Sequence, residues 1–252
     1  MTITPLIVGQ FEVRLLDKTN PKELEDVQRM RYQEIVLEYN KDNLNEKGTD
    51  YSPYDQYCDH IIAIDKETNE IVGTYRVMQK HHVEPLGGFL TEEEYDITAL
   101  KQSPYPILEL GRAVVKKEYR GSIVLKLIWK FLLQYVEANQ IRFLFGTASF
   151  HGTDPTVYQN GLAFLYHNFL IDNEYCPKAI GETSGPMNRL GLAEVDPQKA
   201  LEEIPPLIKG YLAMGAKVGD GYFVDIPFNS VDVFIFLDLL NFNETFVKRL
   251  IK

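Results

Sequence analysis

The sequence predicts an α/β fold, a mixed central sheet flanked by helices, organised as a single domain over its 252 residues. Extended and helical patterns follow one another as strand, helix, strands, helix, strand, helix, strand, an order that builds one mixed sheet. The composition is 45% apolar and 25% charged, that of an ordinary globular protein. The chain is also long enough to bury a sizeable core.

Each element has a local cause. Phe11-Glu-Val-Arg-Leu-Leu16 alternates like a strand with one solvated face. Pro21 opens a helix with Glu23 and Glu25 in its first turn, where the helix dipole favours acids. Leu24, Val27, Ile35 and Tyr39 form one stripe of that helix, and Arg31 lies inside it. The polar, turn-rich stretch from Asn40 to Ser52 reads as a loop. His60–Ile64 and Ile71–Met78 read as strands joined by the connection Asp65–Glu70. Thr91-Glu-Glu-Glu94 looks like a short helix start, and Pro106–Val115 is a third strand. A helix is expected from Tyr119 to Ala138, then a buried strand from Phe143 to Phe150. Asp154-Pro155 caps a helix running to about Leu170. Cys176–Pro197 reads as a loop, Leu201–Met214 as helical across Pro205-Pro206, and Val231–Leu237 as the last strand before a short C-terminal helix from Asn243.

Charge and cysteine usage exclude several classes. With 36 acidic and 26 basic side chains the formal charge is −10, against the basic footprint of a nucleic-acid binder. Cys58 and Cys176 cannot make a disulfide framework and suit a reducing compartment. The apolar run Pro5–Val8 is too short for a signal peptide before Glu12 and Arg14, and no apolar stretch is long enough to span a bilayer. A cytoplasmic protein is expected.

Ile107-Leu-Glu-Leu-Gly-Arg-Ala-Val-Val115 carries the most chemical information. Glu109 and Arg112 sit among apolar residues of a strand, where unpaired charges are costly to bury. Alternation puts them on opposite faces, and a bulge at Gly111 would bring them back to one site. The pair is therefore either a buried structural ion pair or a general base beside a substrate-orienting guanidinium. Downstream, Gly111–Lys130 holds six basic residues and one acid, a local +5 in an acidic chain. Gly121 and Ser122 at the start of the next helix could hold phosphate oxygens on backbone N–H groups, although basic helix faces are often only solvated. Arg31, Arg76 and the acids Asp50, Asp55 and Asp59 suggest an ion-pair network that holds the preceding loop over an acceptor. Arg76 alone could equally be an edge-of-sheet arginine.

Glu-Leu-Gly-Arg-x-Val followed by a basic turn and helix resembles the acyl-binding core of the GNAT acyltransferase superfamily. More narrowly, the sequence resembles the branch of ornithine N-acyltransferases of ornithine-lipid synthesis and acyl-homoserine lactone synthases. Tyr57-Cys-Asp-His60, Gly73-Thr-Tyr-Arg76, Phe145 to Pro155, Pro205 to Leu212, Gly215 to Gly221 and the stretch from Asp225 to Ile235 carry that resemblance in order along the chain. It implies a GNAT-like sheet and transfer of a fatty acyl chain from acyl carrier protein to the α-amine of L-ornithine. The acyl-phosphopantetheine thioester is then a donor substrate, with no tightly bound cofactor. The resemblance implies catalytic roles for Glu109 and Arg112, and substrate contacts for Arg31, Asp55, Arg76, Ser149, His151 and Asp154. It implies acyl-pantetheine or carrier contacts for Ala113, Val114, Val115, Lys117, Arg120, Gly121 and Ser122. One departure is informative: the GNAT pyrophosphate loop would put glycine at Ile123 and a small residue at Leu125. Its loss suits a donor presented on a carrier protein, which has no adenosine pyrophosphate.

Competing readings are another acceptor (glycine, lysine or tyrosine), a signal synthase that needs S-adenosylmethionine, and a non-catalytic lipid- or carrier-binding module. His81-His82-x-Glu84 lacks a third spaced ligand and reads as a solvated turn, so no metal is expected. His60 and His167 read as core or surface residues, and Ser149 has no nucleophile elbow. The basic end Lys248-Arg-Leu-Ile-Lys252 could graze anionic lipid as a peripheral contact, with docking onto the protein body preferred.

Overall fold

The computed structural model describes residues 3–39 and 44–241. Its strands, in chain order, are β1 (Leu6–Val8), β2 (Phe11–Leu15), β3 (Asp59–Asp65), β4 (Glu70–Gln79), β5 (Tyr95–Asp96), β6 (Ile107–Val115), β7 (Phe143–His151), β8 (Lys178–Ala179), β9 (Ser184–Gly185), β10 (Lys217–Asp225) and β11 (Ser230–Asp238). The main helices are α1 (Pro21–Arg31), α2 (Val124–Ala138), α3 (Gln159–Phe169), α4 (Pro197–Glu203) and α5 (Pro206–Ala213). The architecture is the expected α/β class, a mixed sheet flanked by helices. The described residues divide into two compact units, one comprising those up to Gly88 with Leu108–Ile141, the other Phe89–Ile107 with those from Arg142 to Asn241.

In the first unit β1, β2, β3, β4 and β6 pair antiparallel in that order. Asn20 caps α1 by accepting the Lys22 N–H, and Pro21 follows as the first helical residue. Val27 of α1 packs with Leu16 and Ile62, and Leu24, Ile64 and Ile71 close round them. α2 covers the other face of β3 and β4. A Cβ on Gly73 would lie 2.8 Å from Ile128 and 3.0 Å from Val124, so that glycine lets the helix approach the sheet. Tyr75 meets Trp129 on the same side.

Beyond Arg31, α1 continues through a π-helical turn, Tyr32–Val36. The wider i→i+5 turn changes the phase of the helix. The expected stripe through Ile35 and Tyr39 is therefore not the buried one: Tyr32 and Val36 are buried instead. The expected start of α2 at Tyr119 is corrected too. Lys117–Tyr119 is a 3₁₀ turn, Gly121 takes a left-handed φ of +82°, and α2 begins at Val124.

In the second unit β11 pairs antiparallel with β7 along its whole length and with β10 on its other side, while β8 runs parallel to β10. The expected single helix over Leu201–Met214 breaks at Ile204-Pro205, because proline lacks the N–H a helix needs. The expected loop after Cys176 contains β8 and β9, and β10 is a strand whose glycines obscured its pattern. The expected helix from Asn243 and most of the basic C-terminal end lie outside the described residues. Among the described residues no helix is long and apolar enough to cross a membrane.

Candidate active site

The first unit assembles the charged residues of the α1 face. Cross-strand register pairs His60 with Arg76, Arg76 with Gly111, and Met78 with Glu109, so Arg76, Glu109 and Gly111 share one side of the sheet. A Cβ on Gly111 would stand 3.7 Å from Arg76 Nη2, an ordinary contact, so the strand backbone at Gly111 lies directly beside the guanidinium. Between the pairs Thr74–Val114 and Arg76–Gly111, two β6 residues, Arg112 and Ala113, oppose the single residue Tyr75. This is the anticipated bulge, but the left-handed residue is Arg112, with φ of +54°, rather than Gly111. A non-glycine residue held there carries local strain.

Arg31, from the last turn of α1, is completely buried. Its Nη1 and Nη2 donate to Asp55 Oδ1 and Oδ2 at 3.0 and 2.6 Å, the fork geometry that suits a carboxylate. Nη2 also donates to the Asp50 carbonyl, and Nε lies 2.9 Å from Asp50 Oδ2. Arg112 Nε donates to that same Asp50 oxygen at 3.1 Å. Asp55 accepts further bonds from Gln28 Nε2, the Ser52 N–H and Arg76 Nη1. Its carbonyl meets His60 Nε2 at 2.9 Å. Burial opposes the Asp55 charge, yet the Arg31 bonds and the charges of Arg31 and Arg76 hold the carboxyl well below the usual carboxylate range. Burial likewise works against Arg31, and Asp55 and Asp50 outweigh it and raise its pKa.

Arg76 differs. It is also completely buried, but among the described residues only Nη1 has a hydrogen-bond partner, Asp55 at 3.1 Å, and Nε and Nη2 have none. Burial, then the nearby Arg112 charge, lowers its pKa. Three donor hydrogens of a guanidinium thus lie beside Gly111 with nothing to bind, an arrangement that would cost stability unless a ligand uses it. Glu109 is 3% exposed, on the same side of the sheet.

The expected residues divide between the units. Arg31, Asp55, Arg76, Glu109 and Arg112 come together with Asp50. Asp59 does not join them: it faces α2, bonding Lys18 and Tyr135 at 2.8 Å each. Arg120 is engaged by Glu34 and Glu38, Arg112 by Asp50 and Lys116 by Glu70, so acids offset much of the local basic excess. Val114 is buried in β6, and Ser122 Oγ accepts the Val124 N–H at the start of α2. Ser149 and His151 lie on β7 of the second unit, opposite Asp232 and Ser230 of β11. Asp154 caps a 3₁₀ turn by accepting from Thr156.

Gln28, Ser52 and His60 are the residues the sequence did not mark. Gln28 stands three positions before Arg31 on the same helix face, a spacing that could have flagged it. Burial pushes the His60 pKa down to about 4. The expectation of a solvated turn at His81-His82 is corrected for His82, which is buried beside Asp59.

The chain is similar to known acyltransferases. Residues 30–130 match the model of the acetyltransferase (GNAT) domain. An L-ornithine N(alpha)-acyltransferase of Rhodobacter capsulatus is 34% identical, covering 97% of this chain and 95% of its own. One of Brucella abortus is 33% identical, covering 95% and 88%. A solved CoA-dependent acyl-homoserine lactone synthase shares the fold at a TM-score of 0.55, with 16% identity over 95% of this chain and 94% of its own.

Proposed function

We propose a function from the premise that this chain belongs to the family of the L-ornithine N(alpha)-acyltransferases: it transfers a fatty acyl group from the thioester of acyl carrier protein to the α-amine of L-ornithine. The observation that carries the reading is Arg76, buried beside Gly111 with Nε and Nη2 unspent and with Glu109 on the same face. A free α-amino acid presents a carboxylate and an ammonium, and this face offers a guanidinium for one and a carboxylate for the other.

In the proposed reaction the acceptor carboxylate takes the Arg76 donors, and Arg31 and Asp55 hold Arg76 in place. Glu109 accepts a proton from the acceptor ammonium. The amine attacks the thioester carbonyl, a C–N bond forms, the C–S bond breaks and the pantetheine thiolate leaves. An inserted residue drops out of the strand ladder, so the bulge at Arg112 and Ala113 is the local source of backbone N–H groups for the oxyanion. Arg112, held by Asp50, orients the bulge. Lys117 and the turn at Gly121 and Ser122 meet the carrier or its pantetheine arm.

The choice of donor rests on the start of α2. Ile123 and Leu125 are 42% and 39% exposed where a pyrophosphate cradle would carry small residues, which favours a carrier-bound arm over CoA. Thiol release measured with acyl carrier protein and with CoA thioesters, against ornithine, glycine, lysine and tyrosine, tests both halves of the proposal. Carrier thioester with ornithine is expected to turn over fastest. A requirement for S-adenosylmethionine would point to a signal synthase, and no thiol release with any amine to a binding module. Glu109→Gln is expected to lower kcat by about 10²-fold or more, the scale of a positioned base. Near-normal turnover would remove Glu109 from the chemistry. Arg76→Lys, which cannot offer the planar fork, should raise KM for the acceptor more than it lowers kcat.

A further inference from the structure

A second cluster of ionisable groups lies in the other unit. Carboxylate oxygens of Glu94, Asp225 and Asp232 lie within 4.8 Å of one another, with Glu94 and Asp232 buried. The cluster is positioned from three directions. Tyr95 Oη donates to the carbonyls of Gly221 and Asp232 at 2.9 and 3.0 Å, pinning the Glu94–Tyr95 segment against the β10–β11 hairpin. The Glu94 carbonyl accepts the Ile180 N–H at 2.8 Å. Asp225 closes the hairpin turn by accepting the Phe228 N–H at 2.8 Å.

Ser230 is the independent observation. It pairs with Asp225 across the hairpin and stands two residues before Asp232 on β11, so all three side chains project to one side of the sheet. Its hydroxyl is buried, the residue being 2% exposed, and has no hydrogen-bond partner among the described residues. A buried hydroxyl without a partner costs free energy, and adjoining buried carboxylates repel strongly at low dielectric. One cation among them relieves both. Its ligands would be oxygens only, which selects a hard ion. Calcium–oxygen bonds of about 2.3–2.6 Å accommodate a ligand spread of this size, whereas magnesium's roughly 2.1 Å would draw the oxygens tighter.

We propose that Glu94, Asp225, Asp232 and the Ser230 hydroxyl form a calcium site that clips the Glu94–Tyr95 segment to the β10–β11 hairpin. Carboxylates bound through both oxygens, together with water, complete the coordination that calcium takes.

The full-length protein, stripped with chelator and titrated with CaCl₂, is expected to bind one ion per chain and to melt several degrees higher with calcium than without. Terbium in calcium's place should luminesce on excitation of tyrosine, because Tyr95 adjoins Glu94. Asp232→Asn should weaken calcium binding by about tenfold or more, and should raise the melting temperature in chelator by removing one of three like charges. Asp225→Asn, nearer the surface, gives the same reading if the buried variant does not fold. Ser230→Ala should weaken binding less. No calcium-dependent shift in the wild-type protein, or calcium binding unchanged in both aspartate variants, overturns the site. A magnesium response as large as that of calcium overturns the assignment to a large cation.

Discussion

The two charged clusters solve opposite problems. On the α1 face the carboxylates of Asp50 and Asp55 meet the guanidiniums of Arg31, Arg76 and Arg112, so the charges that fold the site come from within the chain. At the β10–β11 hairpin, the carboxylates of Asp225 and Asp232 meet that of Glu94, with Ser230 paired to Asp225. The contrast teaches what each can receive. The first cluster sets three guanidiniums against two carboxylates, has spare donors on one member, Arg76, and suits a small ligand that brings a carboxylate of its own. The acidic one suits a bare cation.

Breaking the ion-paired cluster should have the largest effect. Asp55→Ala leaves two buried guanidiniums without their shared carboxylate and is expected to destabilise the protein by about 3–5 kcal/mol in denaturant unfolding. Arg31→Lys should cost less but still measurably, because an ammonium cannot span both Asp55 oxygens. If Asp55→Ala unfolds at wild-type denaturant concentrations, the cluster is not what holds the loop.

Acid should sharpen the comparison next. His60, held near 4 when folded, binds a proton in the unfolded chain below about 6.5, so the unfolded state is the more protonated between those values. Stability is therefore expected to fall as pH drops from about 6.5 towards 4, at up to about 1.4 kcal/mol per pH unit. Asp55 adds its own loss below its ordinary carboxylate range, since its folded pKa is depressed. His60→Gln should flatten the upper part of that profile. An unchanged profile in His60→Gln would mean that His82, also held near 4 by burial, dominates it.

The smallest effects should lie at the exposed edge. Arg120 bonds Glu34 and Glu38 near the surface, so Arg120→Ala is expected to change unfolding free energy by less than about 1 kcal/mol. If the basic turn also docks the acidic carrier, Lys117→Glu should raise KM for the carrier thioester while kcat holds. A salt-independent, unchanged KM would separate that turn from donor recognition.

Much of the candidate site on the α1 face was legible because each clue is local. Glu109 and Arg112 in an apolar strand, Gly111 between them, and Arg31 on a core stripe all violate the pattern of a purely structural element, and the fold brings them to one side. What was not legible depends on register. Nothing in one strand says that Arg112 rather than Gly111 takes the left-handed conformation, since the bulge exists only in the pairing with the neighbouring strand, between Thr74 and Arg76. The grouping of Glu94 with Asp225 and Asp232 spans well over a hundred residues and arises only when Tyr95 docks under the hairpin. The β10 strand escaped notice because Gly219 and Gly221 interrupt its alternation to admit close backbone neighbours.

The π-helical turn at Tyr32–Val36 has an evolutionary corollary. One turn earlier the helix aims Arg31 at the buried carboxylates, and the turn itself and the residues just after it carry the two glutamates that grip Arg120. Straightening the turn without losing a residue would swing everything downstream by about 100° around the axis. Losing one residue as the pitch becomes uniform would leave the downstream side chains in phase, because a π turn holds one residue more than an α turn. Relatives that keep both grips should therefore either retain the wide turn or lack one residue of this segment.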